Sequence, residues 1–257
     1  MNDRFNFAYT ADVLIFSVDS RENDNCRELP QKYFRILLVN RKKEPDKGKW
    51  CLPGGYVDFD ETSQDAAKRI LKKETNLSNV YMEQLETFDN VDRDSRGRTI
   101  STSYMSLVDK TKLFDKVGET ANWFDIYIDD SNEVINIKLI NNETELEFYA
   151  KRFIKNKTTN NYEYELIGSN EIAFDHALMI LKGIYDLRKK AIDTDIIFNL
   201  MPSEFTIGEL KQVYEIILGC PLINSAFRRT ISKKVKSTNN YVKTGGHRPS
   251  ELYKYIG

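Results

Sequence analysis

Ser225, Arg228, Arg229, Ser232, Lys233 and Lys236 are the residues of this 257-residue chain best spaced to act on another molecule. On a helical wheel Ser225, Arg229, Ser232, Lys233 and Lys236 share one side, with Arg228 at its flank, while Phe227, Ile231 and Val235 lie opposite. Cationic and hydroxyl side chains gathered on one helix face can hold phosphates and read base edges. Lys243, His247 and Arg248 follow within a glycine-containing stretch and extend the same chemistry. Residues 201–257 carry nine Lys/Arg against four Glu, a balance of +5, whereas the whole chain is −1, so residues 1–200 stand at −6. A near-neutral average thus conceals an acidic body and a basic tail, an asymmetry that points to a polyanionic partner such as double-stranded DNA.

Local signals supply the elements that would position these groups. Thr206 and Glu209 form a capping box after the apolar Phe205, and Leu210, Val213, Tyr214 and Ile217 follow at i, i+3, i+4, i+7, one buried helical face. Gly219 and Pro221 stop that helix. A second helix starts near Asn224 or Ser225, its core side expected at Phe227, Ile231 and Val235. Residues 241–244 and 251–255 read as strands around a Gly-rich turn whose tip holds His247 and Arg248. Two helices in a tight turn followed by a hairpin describe a winged helix-turn-helix. An ordinary solvated basic face and a protein-binding winged helix are the alternatives.

Composition excludes several classes. No apolar run approaches the ~18 residues of a membrane span, and the short run 13–16 lacks the length and the basic flank of a secretion signal. Cys26, Cys51 and Cys220 are odd in number and scattered, which favours a reducing cytoplasm and argues against a zinc site. No Ser/His/Asp or Cys/His spacing supports a nucleophile. No catalytic residue, metal or cofactor is expected.

The acidic body is strand-rich. Strands are expected at 11–19, 33–40, 81–87, 99–108, 123–128, 134–140, 145–155 and 162–166, with helices at 61–75 and 171–191 and Asn170 as candidate N-cap of the second. That mixture describes an α+β sandwich, with the later helix as connector to the basic module. Trp50-Cys51-Leu52-Pro53-Gly54-Gly55 leads a strand into a glycine turn, followed by Glu61 after five residues and Arg69 after seven more.

This Gly-x5-Glu-x7-Arg spacing resembles the Nudix box of nucleoside-diphosphate-X hydrolases, whose helix continues with glutamates that hold Mg²⁺. Here the continuation is Ile70, Leu71, Lys72, Lys73, Glu74, Thr75, Asn76, so that Ile70 and Lys73 stand where that family has glutamates and Glu74 alone survives. One carboxylate beside a lysine makes a poor Mg²⁺ site. The charges can instead pair as Lys73–Glu74 and Arg69–Glu61, and Asn76 tolerates the left-handed conformation of the missing glycine. Glu83, Glu86 and Asp58 are the nearby carboxylates able to compensate. Residues 82–85, Phe88 and the stretch 92–101 resemble the strand region of ADP-ribose-type Nudix proteins, and the run Ala173-Phe174-Asp175-His176-Ala177 with the segments 205–219 and 226–229 resembles the Nudix-related transcriptional regulators of NAD metabolism.

That resemblance implies a Nudix-like α/β/α sandwich (residues 1–170), a connector helix (171–193) and a winged-helix DNA-binding domain (194–257). It implies a dimeric bacterial repressor that binds operator DNA and releases it on binding ADP-ribose, with sugar-sensing relatives and an active Nudix hydrolase as alternatives. Arg41, Arg96 and Arg98 are the candidate bidentate partners of a pyrophosphate, Trp123 or Phe124 the candidate adenine platform, and Glu74 the carboxylate beside them. Each arginine has a solvated alternative and each aromatic a core alternative. His176 is either a hinge contact that senses ligand or a packed histidine with a satisfied ring.

Overall fold

The computed structural model describes residues 7–22, 29–113, 117–158, 161–169, 171–243 and 249–257. A mixed sheet forms the body. Its strands are β1 (Ala8–Arg21), β2 (Gln31–Asn40), β3 (Trp50–Cys51), β4 (Gly54–Tyr56), β5 (Tyr81–Phe88), β6 (Thr99–Val108), β7 (Ala121–Asp129), β8 (Val134–Ile140), β9 (Glu145–Asn156) and β10 (Asn161–Gly168). They run in the order β10-β9-β8-β7-β2-β1-β6-β5, with β3 on β2 and β4 on β1. The β1–β6 pair is parallel and the other named pairs are antiparallel. Central β1 is buried on both faces, which explains its nearly continuous apolar run. Ala11, Val13 and Ile15 pack with Ala66, Ala67, Ile70 and Leu71 of helix α1 (Ser63–Thr75) on one face. Leu14 and Phe16 pack with Ile180, Leu181 and Ile184 of helix α2 (His176–Asp193) on the other. The result is the expected α/β/α sandwich.

Both helix starts are later than expected, for identifiable reasons. Thr62 caps α1 in a capping box with Asp65, so Glu61 stays in the preceding turn, where it pairs with Arg69. Asn76 closes α1 in the left-handed region at φ 57°. The 171–191 expectation begins too early, because residues 171–173 run alongside Trp50 and Phe174 turns through the left-handed region: Trp50 donates to the Glu171 carbonyl (3.0 Å) and Ala173 donates to that of Trp50 (2.8 Å). Asp175 occupies the N-cap of α2, while Asn170 lies outside the described residues.

Past a short 3-10 turn at Ile196–Leu200 come α3 (Ile207–Leu218), α4 (Asn224–Ile231) and the hairpin β11 (Val235–Val242) with β12 (Ser250–Tyr255). The Thr206–Glu209 capping box forms as expected. Gly219 ends α3 in the left-handed region at φ 74°, which favours glycine there. Phe205 pairs with Tyr253 through two backbone hydrogen bonds, 3.0 and 2.8 Å, tying the start of α3 to the hairpin. Val235 is buried in the core as expected, but from a strand and not from the helix: α4 stops at Ile231 and Val235 opens β11, so Lys236 belongs to the wing strand. The apolar cluster of α2 continues through Ile197 and Leu200 into Leu210, Val213 and Ile217 of α3. Arg188 of α2 donates to the Ile217 carbonyl (2.8 Å) and pairs with Asp130 (2.8 Å).

Candidate functional site: a cationic cleft and a basic helix face

A cleft of about 370 Å³ opens over the glycine turn, within the range of small-molecule sites. Six cations line it, Arg41, Lys42, Lys43, Lys73, Arg93 and Arg96, against the carboxylates of Asp12, Glu44, Glu74 and Asp94, an excess of two positive charges. Its phenyl and phenol rings are Phe174 and Tyr56, and Phe174 is a non-glycine residue at φ 56° just before α2. A bulky residue in this region is held there by its surroundings. Its ring faces the Arg41 guanidinium at 4.5 Å and that of Arg96 at 5.6 Å, cation–π distances. Arg41 Nε donates to the Pro45 carbonyl (2.8 Å). Arg96 forks onto Asp94 and holds its carboxyl below the ordinary range. The arrangement offers planar donors around an aromatic face, chemistry suited to a phosphorylated ligand with a ring.

The sequence candidates separate here. Arg41, Arg96 and Glu74 line the cleft. Arg98 does not; it donates to the Asp89 carbonyl. Phe124 is 0 % exposed and meets Trp50 edge-on at 4.8 Å, so it is core. Trp123 is half-buried, away from the cleft, with Arg35 at 5.9 Å. Phe174 is what the sequence reading missed, since nothing in residue type announces a positive φ.

Behind the cleft lies a buried polar cluster. Arg93, its side chain 4 % exposed, makes a fork onto Asp175 (2.9 and 2.7 Å) and lies 3.9 Å from Asp12. That engagement explains why Asp175 makes no capping hydrogen bond at the start of α2. The Leu52 amide donates to Nδ1 of His176 (2.9 Å), and Nε2 lies 3.7 Å from Asp12. His176 is therefore a packed histidine with Nδ1 hydrogen-bonded and Nε2 facing Asp12, and burial holds its pKa below the ordinary value, keeping it neutral at pH 7. Cys51 also lines the cleft, but burial pushes its thiol up to about 12, which leaves it protonated and inert.

The Nudix-box positions are equally definite. Ile70 is buried under the glycine turn, Lys73 pairs with Glu74 at 3.0 Å, and Arg69 pairs with Glu61. The compensating candidates are committed elsewhere: Glu83 to Lys190, Glu86 to Lys182 and Asp58 to Arg69, the last at 3.5 Å. These residues do not fit a divalent cation, and among the described residues no group of three His, Cys, Asp or Glu is arranged to hold one.

In the basic module Ser225, Arg228, Arg229, Ser232, Lys233, Lys236 and Lys243 are all exposed, whereas Phe227 and Ile231 are buried. Phe227 meets Tyr214 of α3 edge-on, 5.4 Å between centroids. The wing tip with His247 and Arg248 lies outside the described residues.

A family model for the NrtR DNA-binding winged helix domain matches residues 197–255, and one for the NUDIX domain matches residues 25–145. The chain thus carries a NUDIX domain followed by an NrtR-type winged helix domain. It is similar over 96% of its length, with 29% identity, to a protein of Acinetobacter baylyi described as the ADPR responsive transcriptional repressor NtrR, of which it covers 81%. Among solved structures it resembles Shewanella oneidensis NrtR complexed with a 27mer DNA, at TM-score 0.67 and 23% identity over 96% of this chain and 93% of that one. It also resembles a MutT/nudix family protein from Enterococcus faecalis, at TM-score 0.72 and 21% identity over 100% of this chain and 89% of that one. The two structural likenesses establish the NrtR-type fold across both domains.

Proposed function

We propose that this NrtR-type chain is a transcriptional repressor that holds operator DNA on α4 and the β11–β12 wing and is modulated by a nucleotide diphosphate such as ADP-ribose bound in the cleft. The near full-length similarity to the Acinetobacter baylyi repressor carries the reading. The geometry supports it: the exposed side of α4 carries Arg228 and Arg229 beside polar Asn224, Ser225 and Thr230, and α2 begins at the cleft and abuts α3 at its far end. With Arg93 neutralised by Asp175, the cleft keeps five cations against four carboxylates, and its guanidinium and ammonium donors favour a diphosphate over a neutral pentose. One α4 and one wing offer few contacts, so useful affinity calls for a dimer on two half-sites about one or two helical turns apart.

An operator selected from a random duplex pool with the full chain provides the test. Arg229→Ala is expected to weaken that operator by about 1–3 kcal/mol if the guanidinium reads a base. Lys236→Ala should weaken operator and non-specific duplex about equally and reduce the salt slope by roughly 0.9 for each lost phosphate contact. Wild-type operator affinity in Arg229→Ala would remove α4 from the interface.

The same reading makes the Nudix half a sensor rather than a hydrolase, because Ile70 and Lys73 supply no metal ligand. Purified protein with Mg²⁺ or Mn²⁺ should leave ADP-ribose intact over hours in a chromatographic assay. Turnover at an ordinary enzymatic rate, on the order of 1–10³ per second, would contradict it.

A further inference from the structure

The Nudix fold ordinarily uses a divalent cation to bring a carboxylate-bearing helix and a diphosphate together, and this chain lacks the carboxylates for one. We propose that Lys73 takes the place of that cation: its ammonium, anchored by Glu74, binds the diphosphate of the ligand directly, so that ligand binding needs no divalent metal. The inference rests on the cleft being the diphosphate site. Lys73 and Glu74 both line the cleft, with Nζ 3.0 Å from Oε1. The side chains divide the work by exposure: Glu74 is 7 % exposed and Lys73 78 %. The carboxylate is therefore fixed in the wall while the ammonium stands toward solvent. Glu74 is closely seated, since a Cβ on Gly118 would fall 2.3 Å from its Oε2. An ammonium has three donors. One serves Glu74, and two remain for phosphate oxygens, the same bridge that Mg²⁺ makes between carboxylate and phosphate. A metal would have to enter beside a fixed positive charge with one carboxylate already engaged, while Ile70, buried against the glycine turn, offers no oxygen. Glu74 is in these terms a positioning residue and Lys73 a ligand-binding one.

Calorimetry on the full chain tests this with three probes, ADP-ribose, inorganic pyrophosphate and adenosine, each in EDTA and in excess Mg²⁺. Wild-type affinity for ADP-ribose should agree in the two buffers. Lys73→Gln, whose amide can still donate to Glu74, should remain folded and keep wild-type adenosine affinity. It should lose about 10- to 100-fold for ADP-ribose and pyrophosphate, the range of a hydrogen bond to a charged group. Lys73→Glu should bind both diphosphates weakly in EDTA and regain affinity in Mg²⁺. Wild-type binding of ADP-ribose only in Mg²⁺, or undiminished affinity in Lys73→Gln, would overturn the inference and leave the effector reading intact. Metal-free, Lys73-dependent binding of pyrophosphate without binding of ADP-ribose would overturn that effector and leave Lys73 in its role. Failure of both diphosphates to bind would overturn both.

Discussion

Arg93→Ala is expected to lower stability by about 3–5 kcal/mol, the usual cost of removing one partner from a buried ion pair. Arg93 comes from the β5–β6 loop, and its fork holds Asp175 at the start of α2 and approaches Asp12 of β1. Without it, Asp175 loses its fork and buried Asp12 its cationic neighbour, with a neutral His176 unable to replace the charge. For a chain of this size the melting temperature should fall by about 6–20 °C. Arg93→Ala combined with Asp175→Asn should recover part of the loss, because the double variant removes the charge that the single one strands. A melting temperature within a degree of wild type for Arg93→Ala would show that the cluster is hydrated and does not fasten α2 to the sheet.

Phe227→Ala should cost a similar ~3–5 kcal/mol, this time in the winged helix. The Phe227 ring packs edge-on against Tyr214 and sits over the same apolar cluster as Ile217 and Ile231. The eight-residue α4 has no side-chain cap, so packing of Phe227 and Ile231 must hold it. Hydrogen exchange should show α4 and the hairpin opening, and operator binding should be lost. ADP-ribose binding to the cleft should persist, since Phe227 lies outside its lining. An ordered Phe227→Ala protein that binds operator normally would mean that another face of α4 packs on α3.

The sandwich was legible because β1 carries a continuous run of Val, Ile, Leu and Phe and because the spacing from Gly55 through Glu61 to Arg69 carries through to one loop and one helix. The basic face was legible through the phase of Phe227 and Ile231. Val235 misled because i+4 beyond Ile231 on a helix and the first inward position of a strand are both buried sites, and period alone does not separate them. The start of α2 was hidden by a tertiary event: residues 171–173 pair with Trp50 instead of extending the helix. Trp123 and Phe124 attracted attention as adjacent aromatics, but they lie in β7, whose residue Phe124 faces the core. Phe174, between Arg41 and Arg96, owes its place to a backbone conformation that its residue type disfavours.

The central claim is that the cleft and the DNA face are coupled, and reciprocal titration of the full chain tests it most directly. Operator affinity is measured at fixed salt by fluorescence anisotropy with and without saturating ADP-ribose. ADP-ribose affinity is then measured with and without saturating operator. The account predicts that ADP-ribose weakens operator binding by a factor of about 5–150, and that operator weakens ADP-ribose binding by the same factor, as linkage requires. Tight ADP-ribose binding that leaves operator affinity unchanged would contradict it.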